Sequence, residues 1–236
     1  MRIGIVLQAR MGSTRLPGKV LRPLGGHPIL WHIVNCLRQS KRADSLILAT
    51  TIADLDAPIR EFAKREGILL FAGSEGDVLD RYYQAARVFQ LDHIVRCTGD
   101  NPLVDPSMLD NLIDLHLSSG ADLTHSKTDK GNALPVGVGA EVFTVRALER
   151  SWREGRSAHH REHIDEYIQE HPDQFRIVNL PVPRQLSCPG LRLTVDTPQD
   201  YERMLQLYDT LYVPERTIDL AQAIRWCVLQ GWDRHA

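Results

Sequence analysis

A doubly wound α/β domain on one mostly parallel sheet is the fold that this sequence predicts, on three observations. Short apolar runs such as residues 3–7 and 45–51 lack polar alternation, as strands covered on both faces require. Each is followed by a helical-period stretch and a short connection, the pattern of βαβ units. At 236 residues with 43% hydrophobic side chains, the chain is long and apolar enough for one large core.

The elements follow in order. Residues 2–9 form the first strand, with Ile3, Ile5, Val6 and Leu7 at its centre. A loop bounded by Gly12 and Gly18 leads to a helix after Pro28, whose Ile29, Leu30, Ile33, Val34 and Leu37 share a stripe. Residues 45–51 form the second strand. Asp56 and Pro58 then start a helix to about Glu66 in cap and first-turn order. A third strand at 68–71, a helix at 78–90 and a fourth strand at 93–97 come next. The fourth strand runs into Thr98-Gly99-Asp100-Asn101-Pro102, and Asp105 caps a helix led by Pro106. Beyond about residue 120 the alternation loosens. An irregular stretch at 127–139 precedes a strand at 140–145, helices at 146–154 and 162–170, and strands at 176–180 and 191–195. Thr197-Pro198 starts a helix through Tyr208, and a last helix covers 220–229. No repeat or low-complexity linker divides the chain. One domain, 1–236, with a less regular C-terminal third is expected.

Composition narrows the function classes. A net charge of −2 removes the electrostatic footprint of a general nucleic-acid binder. No apolar run approaches the ~20 residues of a membrane helix. Met1 passes directly into a strand-like run without a secretory apolar region, and Cys36, Cys97, Cys188 and Cys227 form no C-x-x-C pair. A cytoplasmic protein with reduced thiols is expected.

The chemistry concentrates in the first loop. In an open parallel sheet, ligands bind beyond the carboxyl ends of the strands. There the stretch Gln8-Ala9-Arg10-Met11-Gly12-Ser13-Thr14-Arg15-Leu16-Pro17-Gly18-Lys19 brings three cations, two hydroxyls and two glycines together. Guanidinium forks and an ammonium neutralise a polyphosphate, and glycines let backbone N–H groups approach it. A solvated basic loop is the alternative. The loop is not a Walker A, because five residues separate its glycines and Val20 stands where Ser or Thr should be. G-x-G-x-x-G is absent.

The same dodecapeptide closely resembles the N-terminal signature of the sugar cytidylyltransferases, the family of CMP-KDO and CMP-sialic acid synthetases. The nearest branch is the spore-coat polysaccharide (SpsF-like) one. The likeness continues, in the family's order, through residues 73–83, 98–106, 161–163 and 195–200. It implies a Rossmann-like nucleotidyltransferase fold, with residues 1–120 holding the nucleotide and 121–236 the sugar and a dimer contact. It also implies a homodimer that acts on CTP and a small sugar, for cell-surface or spore-coat polysaccharide. The family's magnesium ligand matches Asp100, and its second matches Asp196. By the same likeness Gln8, Ala9 and the Gly73-Ser74 turn surround the base, while Glu141, Arg161 and His163 line the sugar pocket. The spore-coat pattern has Asp where this chain has Gly139, a departure that bears on the sugar and not on the nucleotide.

Each of these positions also has a plain structural reading. Asp100 could close a turn in Gly99-Asp100-Asn101-Pro102, and Asp196 could cap the helix at Pro198. Asp77 and Asp80 suit a first helical turn. Asp54-Leu55-Asp56 has D-x-D spacing but reads as an acidic helix start. His159, His160, His163 and His171 invite zinc, yet no H-E-x-x-H occurs, and a polar helix start explains Arg161 and His163 equally well.

The expected reaction is attack of a sugar hydroxyl on the α-phosphorus of CTP, releasing pyrophosphate. Arg10, Arg15 and Lys19 hold the phosphates and magnesium sits on Asp100 and Asp196. No general base stands out. A nucleotidyltransferase using UTP or GTP, a glycosyltransferase, and a nucleotide-binding module without turnover are the rivals.

Overall fold

The computed structural model, which describes residues 1–214 and 216–234, begins with β1 (Ile3–Gln8). A loop and a small antiparallel hairpin of β2 (Pro23–Leu24) and β3 (His27–Pro28) lead into α1 (Ile29–Leu37). Then β4 (Ser45–Thr51), α2 (Ala57–Arg65), β5 (Leu69–Gly73), α3 (Val78–Val88), β6 (His93–Thr98) and α4 (Pro106–Ser119) alternate. They are followed by β7 (Leu123–His125), β8 (Glu141–Thr144), α5 (Val145–Glu154), α6 (Ala158–Glu162), α7 (Glu166–Gln169) and β9 (Ile177–Asn179). The chain closes with α8 (Pro198–Leu211) and α9 (Leu220–Leu229).

Seven strands form one sheet in the order β5-β4-β1-β6-β8-β7-β9. All neighbours pair in parallel except β8, which runs antiparallel to β6 and β7. Strands 1, 4 and 5 step outward, and the chain then returns to place β6 on the other side of β1. Ligands bind such sheets at that reversal, beyond the carboxyl ends of the strands. The two faces of β1 explain its unbroken apolar run. Ile3, Ile5 and Leu7 join the core under α1, α2, α4, α8 and α9, whereas Val6 joins the opposite core under α3, α5 and α7. Among the described residues no helix is long and apolar enough to cross a membrane.

The regular half follows the expected order, and the C-terminal third departs from it in three places. Residues 191–195 form no strand. Leu191, Leu193 and Val195 are buried, but the segment runs beside irregular chain and forms an isolated bridge between Val136 and Arg192. The helix expected over 162–170 is shortened to α7, preceded by a separate turn of helix, α6, and buried residues 164 and 165 lie between them. Strand β7 was not expected, since Leu123-Thr124-His125 is short and mostly polar. Its pairing with β8 and β9 makes it a strand.

A histidine pair, with His116 buried and His93 half-buried, ties α4 to the sheet. His116 Nε2 lies 3.0 Å from His93 Nδ1, and His116 Nδ1 lies 3.0 Å from Thr124 Oγ1. Burial, reinforced by His93 and opposed by Asp122, pushes the His116 imidazole down to about 4 from an ordinary 6.5. Burial also lowers His93, against Asp92. The folded protein therefore keeps His116 neutral where the unfolded chain takes up a proton. Stability should be full above pH 6.5 and fall as the pH drops toward 4, by on the order of 2–3 kcal/mol from His116. Urea midpoints measured across that range check this, and His116→Gln should flatten the slope.

Candidate active site

The first loop is held at the carboxyl edge of the sheet by bonds from both neighbouring strands. Ala9 N–H donates to Ala49 C=O at 3.0 Å, and Gly99 N–H donates to Gln8 C=O at 2.8 Å. The loop then folds on itself, as Ser13 and Gly18 both donate to Met11 C=O. Gly18 adopts φ 68°, a left-handed conformation that only glycine takes easily, and it starts a single 3-10 turn at Lys19. Asp56 has a role that its helix-start reading missed. Its side chain caps nothing. It is buried and accepts from Met11 N–H at 2.7 Å and from the Thr51 hydroxyl at 2.5 Å, tying the loop to β4.

Asp100 follows β6, where the Thr98 hydroxyl donates to its Oδ1 at 2.7 Å. Asp196 arrives from far along the chain because Val195 N–H donates to Asp100 C=O at 2.9 Å. Lys19 Nζ lies 2.8 Å from Asp100 Oδ2 and 2.8 Å from Asp196 Oδ1, so one ammonium joins both carboxylates. Arg15 reaches Asp196 at 3.0 Å and Arg192 also pairs with it. Burial alone would raise the Asp196 carboxyl, but the bond and charge of Lys19, with Arg15 and Arg192, hold it below its ordinary value. The capping explanation of Asp196 fails. Thr197 caps α8, in a reciprocal box with Asp200.

A cavity of about 370 Å³ opens over these groups, lined by Gln8, Ala9, Arg10, Ser13, Thr14, Arg15, Lys19, Asp100, His163 and Asp196 among others. A second cavity of about 370 Å³ adjoins it, lined by Asn101, Lys127, Thr128, Gly137, Gly139 and Glu141, and shares Arg96 and Thr98 with the first. Four expected residues lie off both linings: Gly12, Gly73, Ser74 and Arg161. Gly12 is half-buried, and a Cβ there would meet Leu55 at 3.9 Å. Ser74 closes a turn, its hydroxyl accepting from Asp77 N–H and its carbonyl from Arg81. Arg161 turns away, donating to Trp152 C=O at 2.9 Å and pairing with Asp77 at 3.5 Å. Asp77 itself caps α3. The histidines have different partners: His160 bonds Glu170, His171 stacks on Tyr167, His163 faces the first cavity, and His159 lies against His163 and 3.5 Å from Glu166.

The wall between the cavities is an ion network that the sequence reading missed. Arg96 Nη1 donates to Glu141 Oε2 at 2.5 Å, with Asp165 at 3.9 Å. Lys127 lies 3.5 Å from Glu141 and 3.7 Å from Asp165. Burial pushes the Glu141 carboxyl up, against the opposing pull of Arg96 and Lys127. Burial also acts to raise Asp165, but Lys127, Arg96 and Lys130 hold it low. A signal for Arg96 existed, a charge inside the otherwise apolar run His93-Ile94-Val95-Arg96-Cys97. Gly139 is explained by space. A Cβ there would stand 2.5 Å from Ser126 C=O and 2.8 Å from Lys127 Cα, so this backbone admits no side chain.

A family model described as cytidylyltransferase matches residues 3–222. The spore coat polysaccharide biosynthesis protein SpsF of Bacillus subtilis is 40% identical over 208 residues, which cover 86% of this chain and 85% of that protein. Among solved structures, a cytidylyltransferase from Leptospira borgpetersenii is similar at TM-score 0.90 and 34% identity, over 99% of this chain and 96% of that one. A CMP:2-keto-3-deoxy-manno-octonic acid synthetase complexed with CTP shares the fold, at TM-score 0.65 and 16% identity over 89% of this chain and 99% of that one.

Proposed function

Because this chain belongs to the cytidylyltransferase family, we propose that it transfers CMP from CTP to a sugar hydroxyl and releases pyrophosphate, in the building of a cell-surface or spore-coat polysaccharide. The observation that carries the reading is the convergence of Arg15, Lys19, Asp100 and Asp196 at the mouth of one cavity, with a second cavity alongside. The first cavity takes CTP and the second takes the sugar, so the hydroxyl meets the α-phosphorus at their shared wall. Arg10, Arg15 and Lys19 bind the β- and γ-phosphates and hold the charge that pyrophosphate carries away. Gln8 and Ala9 read the cytosine, with the Ser74 turn behind them. Glu141 and Arg96 orient the sugar, while His163 borders the first cavity, on the nucleotide side. Two carboxylates that already share a cation are a suitable oxygen donor set for magnesium. Asp100 and Asp196 would hold the ion, which would supply positive charge to the α-phosphate. Thr98 keeps the Asp100 carboxylate turned for that role. Residues 1–120 supply most of the nucleotide groups, with Asp196 joining them. Residues 121–236 supply a homodimer contact and most of the sugar groups, with Arg96 joining the latter, and the enzyme works in the cytoplasm.

Thermal shift with four nucleotides tests this. At about 100 times its Kd, CTP with magnesium should stabilise the protein by about 2.7 kcal/mol, about 5–10 °C in a chain of this size. UTP, ATP and GTP should do clearly less. Equal shifts would sink the cytidylyl assignment, and a CTP shift without pyrophosphate release across a sugar panel would mark a binding module.

A further inference from the structure

Lys19 is assigned above to phosphate, yet in the free protein its ammonium is engaged elsewhere. Nζ sits 2.8 Å from Asp100 Oδ2 and 2.8 Å from Asp196 Oδ1. The side chain is only 12% exposed, as is that of Asp196. A divalent cation needs those same oxygens, and two cations cannot occupy one space between them. The backbone at Lys19 is fixed by the Gly18 turn and by buried Val20. Exchange therefore falls to the flexible four-carbon stem, which suits lysine better than arginine. An ammonium has three N–H donors. Two face the carboxylates, and the third is available to an arriving phosphate oxygen.

Resting on the reading of Asp100 and Asp196 as metal ligands, we propose that Lys19 is an exchangeable counter-ion that closes the cation site in the free protein and passes to phosphate when nucleotide binds. Without it, Arg15 and Arg192 would still pair with Asp196, but Asp100 and Asp196 would lose the cation that they share, and the repulsion between them would be less offset. With it, the site stays organised, and metal enters only when a triphosphate offers the ammonium a new partner. Metal and nucleotide affinities are then coupled, each raising the other by the same factor.

The test titrates Mn²⁺ alone, without nucleotide, and follows the free ion by its paramagnetic resonance. Lys19→Met should bind Mn²⁺ at least about tenfold more tightly than the native chain, because a unit positive charge has left the ligand oxygens. Lys19→Gln, whose amide still donates to a carboxylate, should show the same direction and serves if the methionine variant folds poorly. Lys19→Arg keeps the charge and should bind as weakly as the native chain. In Lys19→Met/Asp196→Asn the gain should vanish. Neutral variants that bind Mn²⁺ no better than the native chain would overturn the proposal, as would a gain that survives in the double variant. The cytidylyl reading fails by a different result, the absence of a CTP preference in the thermal shifts.

Discussion

Asp100→Asn and Asp196→Asn should each lower turnover by about 10²-fold or more, the scale on which loss of one preorganised charge-stabilising group is felt. The double variant should be scarcely worse than either single one, because the two carboxylates act as a unit. Their stabilities should differ. Exposed carboxylates that merely repel each other would be neutralised at no cost, but Asp196 pairs with Lys19, Arg15 and Arg192. Asp196→Asn should therefore cost about 1–3 kcal/mol in the unliganded protein. The pH dependence has a definite sign. Since its cationic neighbours hold Asp196 below 3.8, these pairs contribute at all pH values above that and are lost only as the pH falls further. Pyrophosphate release and urea unfolding of the three variants check both expectations. Full activity in Asp196→Asn would reduce the metal site to Asp100, since Thr197 and not Asp196 caps α8.

The second large effect concerns the wall between the cavities. Arg96→Met should lower stability by about 3–5 kcal/mol, because it leaves Glu141, itself 1% exposed, without its closest cation. Lys127 remains, but at 3.5 Å from the carboxylate. Replacing both partners, as in Arg96→Met/Glu141→Leu, should recover most of that loss, since a well-packed apolar pair carries no desolvation penalty. The double-mutant cycle isolates the coupling. A single variant costing under about 1 kcal/mol would mean that water already solvates the pair. If Arg96 and Glu141 also orient the sugar, the stable double variant should bind CTP normally while failing to transfer.

Much of this protein was legible before any coordinates. The apolar runs of β1, β4 and β6 and the stripes of the intervening helices dictate a parallel sheet wound on both faces. Asp105 and Thr197 mark helix starts because a cap bonds only two or three residues ahead. Gly18 and Lys19 belong to one short loop, so their joint placement at a strand end could be read in order. These are local interactions, and a local pattern encodes them.

Tertiary structure alone decided the charges. Whether Asp196 caps a helix or meets Asp100 depends on Val195 bonding to Asp100, between segments far apart in the chain. Arg96 finds Glu141 only because β8 runs antiparallel beside β6 and places the two in register. Asp56 starts α2 as expected, but its side chain holds the first loop through Met11. In each case the identity of a carboxylate's partner sets its role, since burial removes water and leaves whichever donor or cation the neighbouring strand supplies. Sequence spacing carries no record of that neighbour, because the sheet order that chooses it follows from the packing of the whole core.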